Sequence, residues 1–255
     1  MTKYGFIGTG NMAKAMIQGL LKSGVQATDI LVSSPRSASK LADTWGVLAL
    51  SPQALIDESN VVVLAFLPNQ LTRITNELHF DQQLIISVLA GISLSELQEA
   101  THSTEIVRTL PNVNVAINQG LIAFASGQLM APNAQLFGQF TEKLGESTDL
   151  SEDQFTIFSA IAGSGPAFVF KYIKALSQAG INNGLSEEVA TNIATKTVLG
   201  SAMMLASSDA TAQELEDKVA SPGGSTRAGL DDLDAENFDD AVKHAIKATM
   251  QHKHL

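Results

Sequence analysis

Lys3-Tyr-Gly-Phe-Ile-Gly-Thr-Gly-Asn-Met-Ala13 reads as an apolar strand entering a Gly-rich turn, and the amphipathic run on to Leu21 reads as a helix. In that order, strand then turn then helix, the Gly8-x-Gly10-x-x-Ala13 spacing carries a mechanism. Gly8 permits the tight turn. Gly10 lets the backbone approach a pyrophosphate, and Ala13 is small enough for close helix–strand packing. The helix N-terminus then meets the phosphates with its free N–H groups. Gly8, Thr9, Gly10, Asn11 and Met12 are therefore candidate dinucleotide-binding residues.

The next strand, Ile30-Leu-Val-Ser33, ends where an Asp or Glu would hold the ribose 2′-hydroxyl of NAD. Here the chain reads Ser33-Ser-Pro-Arg36, with no carboxylate to repel a 2′-phosphate. Two hydroxyls and a guanidinium suit that phosphate. Ser33, Ser34 and Arg36 thus point to NADPH, with NADH as the alternative. The competing reading is an ordinary loop whose Arg36 faces water.

Strands and helices alternate through the first half. Ser37–Thr44 is predicted helical, Val61–Leu67 and Leu84–Ala90 read as buried parallel strands, and Ser93 with Glu96 forms a capping-box spacing before a short helix. Glu105–Leu110 and Gly120–Ser126 follow as strands. This βαβ alternation implies a doubly wound, Rossmann-type parallel sheet with ligands at the carboxyl ends of its strands. The candidates there are Ala65, Phe66, Leu67 and Pro68, then Val88, Leu89 and Ala90, and finally Asn112.

From Ser151 onward strand signals vanish. Ser151–Ile161, Pro166–Asn182, Ser186–Ser207 and Glu236–Lys253 fit helical periodicity, and Thr211 with Glu214 is a second capping-box pair. The expected division is a dinucleotide-binding domain over 1–150 and a helical substrate-binding and dimerisation domain over 151–255. So small a helical domain with so many apolar faces is expected to bury some of them against a second copy, as a homodimer or larger.

Composition narrows the class. The chain has 255 residues, 45% of them hydrophobic, enough for a sizeable core. A net charge of −10 argues against a nucleic-acid partner. With no cysteine, disulfides, thiolate nucleophiles and Cys-ligated zinc are excluded. The longest apolar runs, such as Val61–Leu67, read as far short of a membrane span, and no signal-peptide pattern precedes the first strand, so a cytoplasmic location is expected. His79, His102, His244, His252 and His254 all read as surface residues.

Ala220-Ser-Pro-Gly-Gly-Ser-Thr-Arg-Ala-Gly-Leu230 stands out in the helical half. Pro222, Gly223 and Gly224 force a sharp loop, and Ser221, Ser225 and Thr226 suit a helix N-terminus. Free N–H groups and hydroxyls there make an anion cradle, for which a carboxylate is the expected guest. The competing reading is a plain capped loop.

Along essentially its whole length the chain resembles the pyrroline-5-carboxylate reductase family. The resemblance rests on Gly8-Thr-Gly-Asn-Met12, Ala90-Gly91, Arg108-Thr-Leu-Pro-Asn112, Ala162-Gly-Ser-Gly-Pro-Ala167 and Ser221-Pro-Gly-Gly-Ser-Thr226. It implies reduction of a cyclic imino acid, 1-pyrroline-5-carboxylate, to L-proline with NADPH or NADH. It further implies that Ser221, Gly223, Gly224, Ser225 and Thr226 bind the substrate carboxylate, that Thr226 Oγ1 approaches the ring nitrogen, and that Glu152 lies near the substrate. The chain departs from the family pattern at Leu67, where a Lys is usual, at Val113-Asn114, at Phe168 and at Lys218. The rival readings are a 3-hydroxy-acid-type dehydrogenase with Lys171, Lys174 or Lys196 as its base, and a non-catalytic NADP-binding relative.

Overall fold

A computed structural model describes residues 1–252; His254 and the expected helix end at Lys253 lie outside them. The first strand, β1 (Tyr4–Ile7), leads through the Gly-rich turn into α1 (Asn11–Lys22). There follow β2 (Ile30–Ser33), α2 (Ala38–Trp45), β3 (Leu48–Ala49), α3 (Pro52–Glu58) and β4 (Val61–Leu64). Next come α4 (Leu71–Thr75), β5 (Leu84–Ser87), α5 (Leu94–Thr101), β6 (Ile106–Pro111), β7 (Gly120–Ser126), α6 (Ala131–Glu142) and β8 (Gly145–Asp149).

These strands make one sheet in the order β3-β2-β1-β4-β5-β6-β7-β8. Every neighbouring pair is parallel except β6 and β7. The expected doubly wound plan is therefore present, and the strand order reverses direction at β1, where such sheets open a ligand crevice.

Both faces of the sheet are covered. Along β4, Val61 and Val63 enter one apolar cluster with Phe6, Met16, Ile17 and Leu20. Val62 and Leu64 enter the other with Ile7, Leu31, Leu55 and Ile85. This alternation with period two puts a fully apolar strand between two helical layers.

Two strands stop earlier than expected, β4 at Leu64 and β5 at Ser87. Past Leu64 the chain keeps one sheet-like bond, from Ala65 N–H to the Ile7 carbonyl (2.8 Å), then turns through Pro68–Gln70. The Ser93–Glu96 capping box forms as expected, with its hydrogen bonds holding the Glu96 carboxyl below the usual carboxylate range. Ser93→Ala is expected to lower stability by about 1 kcal/mol, measured by denaturant unfolding. Because the folded-state value of Glu96 is depressed, its contribution is present at neutral pH and is lost as pH falls through that value.

By packing, the chain divides between Gly163 and Ser164, later than the expected boundary after residue 150. The segment from 151 to 163 stays with the first unit because Phe155, 1% exposed, packs against Ala123 and Ala125. It is not the single helix expected over 151–161. It is a 3-10 turn at Glu152–Gln154, α7 (Phe155–Phe158) and a π-turn at Ser159–Gly163.

The second unit holds α8 (Gly165–Asn182), α9 (Glu187–Ala206), α10 (Ala212–Val219), α11 (Ser225–Ala235) and α12 (Phe238–His252). Helices α8 and α9 pack on each other, with Ser177, Ala190 and Ala194 buried. Large apolar side chains are left bare, among them Phe170, Ile193, Leu199 and Met203. On α9, Val189, Ile193, Leu199 and Met203 fall within about a third of the helix circumference at ~100° per residue.

Candidate functional site

A cleft of about 830 Å³ opens in the first unit at the turn after β1. Gly8 sits at φ +103°, a conformation L side chains rarely adopt, and its N–H donates to the Ser33 carbonyl at 2.8 Å. A Cβ there would lie 2.3 Å from the Ala65 carbonyl oxygen, so β1 and β4 can approach only if residue 8 is glycine. Gly10 is the N-cap of α1 and offers no side chain to the first-turn N–H groups. Asn11, Met12 and Ala13 of that turn line the cleft, as do Gly8, Thr9 and Gly10.

At the end of β2 the cleft is walled by Ser33, Ser34, Pro35, Arg36 and Ser37. Ser37 was not among the sequence candidates, yet it links the two loops: its hydroxyl lies 2.5 Å from Thr9 Oγ1 and 3.2 Å from Ser34 Oγ. Arg36 is exposed. From the other side α4 and its flanks contribute Gln70, Arg73, Ile74 and Glu77, which sequence reading also missed.

The strand-end candidates divide. Ala65, Phe66, Leu67 and Val88 line the cleft, whereas Pro68, Leu89, Ala90 and Asn112 do not. Leu89, 3% exposed, belongs to the apolar cluster beneath the sheet. Asn112 is buried and committed to the backbone. Its Nδ2 donates to the Ala162 carbonyl (3.0 Å) and its Oδ1 accepts from Leu121 N–H (3.1 Å), so it pins the π-turn to the sheet.

Glu152 is held from two sides. Its Oε1 accepts a hydrogen bond from Arg108 Nη1 and another from the Leu94 N–H at 2.9 Å. The buried Arg108 guanidinium also lies 4.5 Å from the centre of the Phe155 ring, a cation–π contact. Arg108 therefore ties β6 to the segment before α7, and Glu152 in turn ties that segment to the start of α5.

In the second unit, the 221–224 turn closes with Gly224 N–H donating to the Ser221 carbonyl at 3.0 Å, and Gly223 adopts φ +75°. The N-cap of α11 is Gly224, without a side-chain hydrogen bond; Ser225 and Thr226 occupy the first turn. Ser221, Ser225 and Thr226 are all exposed, so hydroxyls and first-turn N–H groups open to one surface. Arg227 binds Asp217 at 3.4 Å and fastens α11 to α10. The Thr211–Glu214 capping box forms as expected. His79, His102, His244 and His252 are exposed, as expected.

Residues 152–254 match the family model described as pyrroline-5-carboxylate reductase dimerisation. Residues 3–91 match the one described as NADP oxidoreductase coenzyme F420-dependent. The chain is 34% identical to pyrroline-5-carboxylate reductase of Aquifex aeolicus over 252 residues, covering 98% of this chain and 95% of that one. Among solved structures, 1-pyrroline-5-carboxylate reductase from Streptococcus pyogenes superposes with a TM-score of 0.85 at 35% identity, covering 98% and 96% of the two chains. The pyrroline carboxylate reductase of Plasmodium falciparum, solved with NADP bound, gives 0.86 at 27% identity with the same coverage.

Proposed function

This chain belongs to the pyrroline-5-carboxylate reductase family, and from that premise we propose how its residues reduce 1-pyrroline-5-carboxylate to L-proline. It is an NAD(P)H-dependent oxidoreductase. The observation that carries the mechanism is the cleft over β1, where Gly8 leaves no room for a Cβ and the α1 N-terminus is uncapped. That cradle fits the pyrophosphate of a nicotinamide dinucleotide. When bound, the reduced dinucleotide supplies a hydride to the imine carbon, and the C=N π electrons pass to nitrogen.

The protein's part is positional. A protonated imine is already electrophilic, so little acid–base help is needed, which suits a chain whose described histidines are all exposed. Ser34, Arg36 and Ser37 recognise the adenosine 2′-phosphate, which makes NADPH the preferred cofactor. The N–H groups and hydroxyls of Ser221, Gly223, Gly224, Ser225 and Thr226 receive the substrate carboxylate, and Thr226 Oγ1 meets the ring nitrogen. Glu152 is the acidic group near the substrate, and Arg108 with the Leu94 N–H fixes its Oε1 beforehand.

The active species is a homodimer or a larger homo-oligomer. The bare apolar stripe on α9 and the match to a dimerisation family model support this. The run Glu152–Asn182 is long and apolar enough to cross a membrane, with mean hydropathy 1.2. Its separate pieces, α7, the π-turn and α8, and that same match favour an interface between copies. A cytoplasmic location belongs to the same proposal, because the reaction consumes reduced dinucleotide.

Thr226→Ala tests the substrate half. It is expected to lower kcat/KM for the imine by the equivalent of ~1–3 kcal/mol, with NADPH affinity unchanged. Unchanged kcat/KM would remove Thr226 from the mechanism.

A further inference from the structure

Arg73 sits outside every motif in the sequence, yet it reaches the cleft. Helix α4 is short and anchored on one side by Leu71 and Thr75, which are 7% and 3% exposed. Arg73, two residues from each, is thrown to the open side and lines the cleft. The chain beyond α4 is clamped to the start of α3. His79 N–H donates to Gln53 Oε1 at 2.9 Å, and Gln53 Nε2 donates to the His79 carbonyl at 3.0 Å. Pro52 and Arg73 consequently share one wall, lining both the main cleft and a smaller adjoining recess of about 280 Å³. The Leu50 N–H bond to the Val32 carbonyl, 3.1 Å, keeps Pro52 beside the end of β2, where Arg36 stands.

Two guanidiniums, Arg36 and Arg73, therefore line the cleft, and among the described residues Glu77 is the one acid lining it. Glu77 follows Arg73 by four residues, yet the two form no ion pair, and among the described residues Arg73 makes no hydrogen bond to protein. In a chain of net charge −10, an arginine so placed and so unpaired leaves its donors open to a ligand in the cleft. A guanidinium fork matches a phosphate dianion in geometry and charge.

We infer that Arg73 is a specificity-determining residue, which grips the adenosine 2′-phosphate together with Arg36 and selects NADPH over NADH. The inference rests on the dinucleotide reading of the cleft. Its distinctive content is that Arg73 reads the phosphate. Stacking on the adenine ring, the other use of an arginine at this position, would serve both dinucleotides alike.

The test is fluorescence titration of the full chain with NADPH and with NADH, for the wild type, Arg73→Ala, Arg73→Lys and Arg36→Ala. Arg73→Ala is expected to weaken NADPH on the order of tenfold and NADH by less than about twofold. Arg73→Lys, which keeps the charge and loses the fork, is expected to fall between. Unfolding midpoints without ligand are expected to match, since the Arg73 side chain makes no hydrogen bond or ion pair among the described residues; if the Ala variant were misfolded, the Lys variant carries the comparison. Equal losses for the two dinucleotides, or no loss for NADPH, would overturn the role of Arg73 and leave the cleft's assignment standing. A wild type that binds neither dinucleotide would overturn both.

Discussion

Gly8→Ala is expected to destroy dinucleotide binding and to destabilise the first unit. The added Cβ would lie 2.3 Å from the Ala65 carbonyl oxygen, 2.5 Å from its carbon and 2.8 Å from Phe66 N. All three are backbone atoms, so no side chain can swing aside. The backbone at φ +103° is itself strained for alanine. Relief requires β1 and β4 to part at their carboxyl ends, where Ala65 N–H bonds the Ile7 carbonyl and where the cleft opens. Strain and overpacking together amount to about 2–5 kcal/mol, a fall in unfolding midpoint on the order of 10 °C. NADPH affinity is expected to drop by about a hundredfold or more, since the phosphate cradle is displaced by the same movement. Thermal unfolding and NADPH titration check this, and an unchanged cradle would show as wild-type values in both.

Ile193→Asp and Met203→Asp are each expected to leave the chain monomeric and inactive. These side chains are 51% and 62% exposed on one stripe of α9, in a unit whose own buried residues are few and small. Across a two-fold axis each substitution is made twice, and every copy places an unpaired carboxylate in an apolar contact at a cost of several kcal/mol. The cleft over β1 is lined wholly by residues of the first unit, so on the proposed reading NADPH binding is expected to persist while imine reduction is lost. Sizing chromatography over a dilution series, with NADPH titration, separates these effects. A variant that stays oligomeric and active would show that the stripe is not the interface.

The legible part of the fold was the part whose chemistry is local. The β1 turn and its glycines, the fully apolar β4, the apolar start of β5, and the capping boxes at Ser93 and Thr211 each announce themselves within a few residues. The strand β8, Gly145-Glu-Ser-Thr-Asp149, does not, since its residues are largely polar and exposed and carry no apolar alternation. β3 is two exposed residues on an edge. The boundary at Gly163 depends on Phe155 packing against β7, a contact far apart in sequence.

The site shows the same split. The uncapped turn after β1 and the place of Ser34 and Arg36 on the cleft wall were readable from spacing. Ser37 was passed over as a helix start, though its hydroxyl bridges Thr9 and Ser34. Arg73 lines the cleft beside Pro52, where the start of α3 and the chain beyond α4 are joined by Gln53 and His79, a contact 26 residues apart in sequence. The strand-end position of Asn112 and Leu89 does not reveal that the Asn112 side chain bonds backbone carbonyl and N–H groups and that Leu89 joins the core. For Glu152, its partner Arg108 lay 44 residues away in a motif already noted, and only the fold joins the two.

The most direct measurement is steady-state NADPH oxidation by the purified full-length chain with 1-pyrroline-5-carboxylate, followed by absorbance, beside a 3-hydroxy acid offered with NADP in the reverse direction. The expected result is saturable turnover with the imine, L-proline as product, and no reaction with the hydroxy acid. Tight NADPH binding with no turnover of the imine would contradict the assignment.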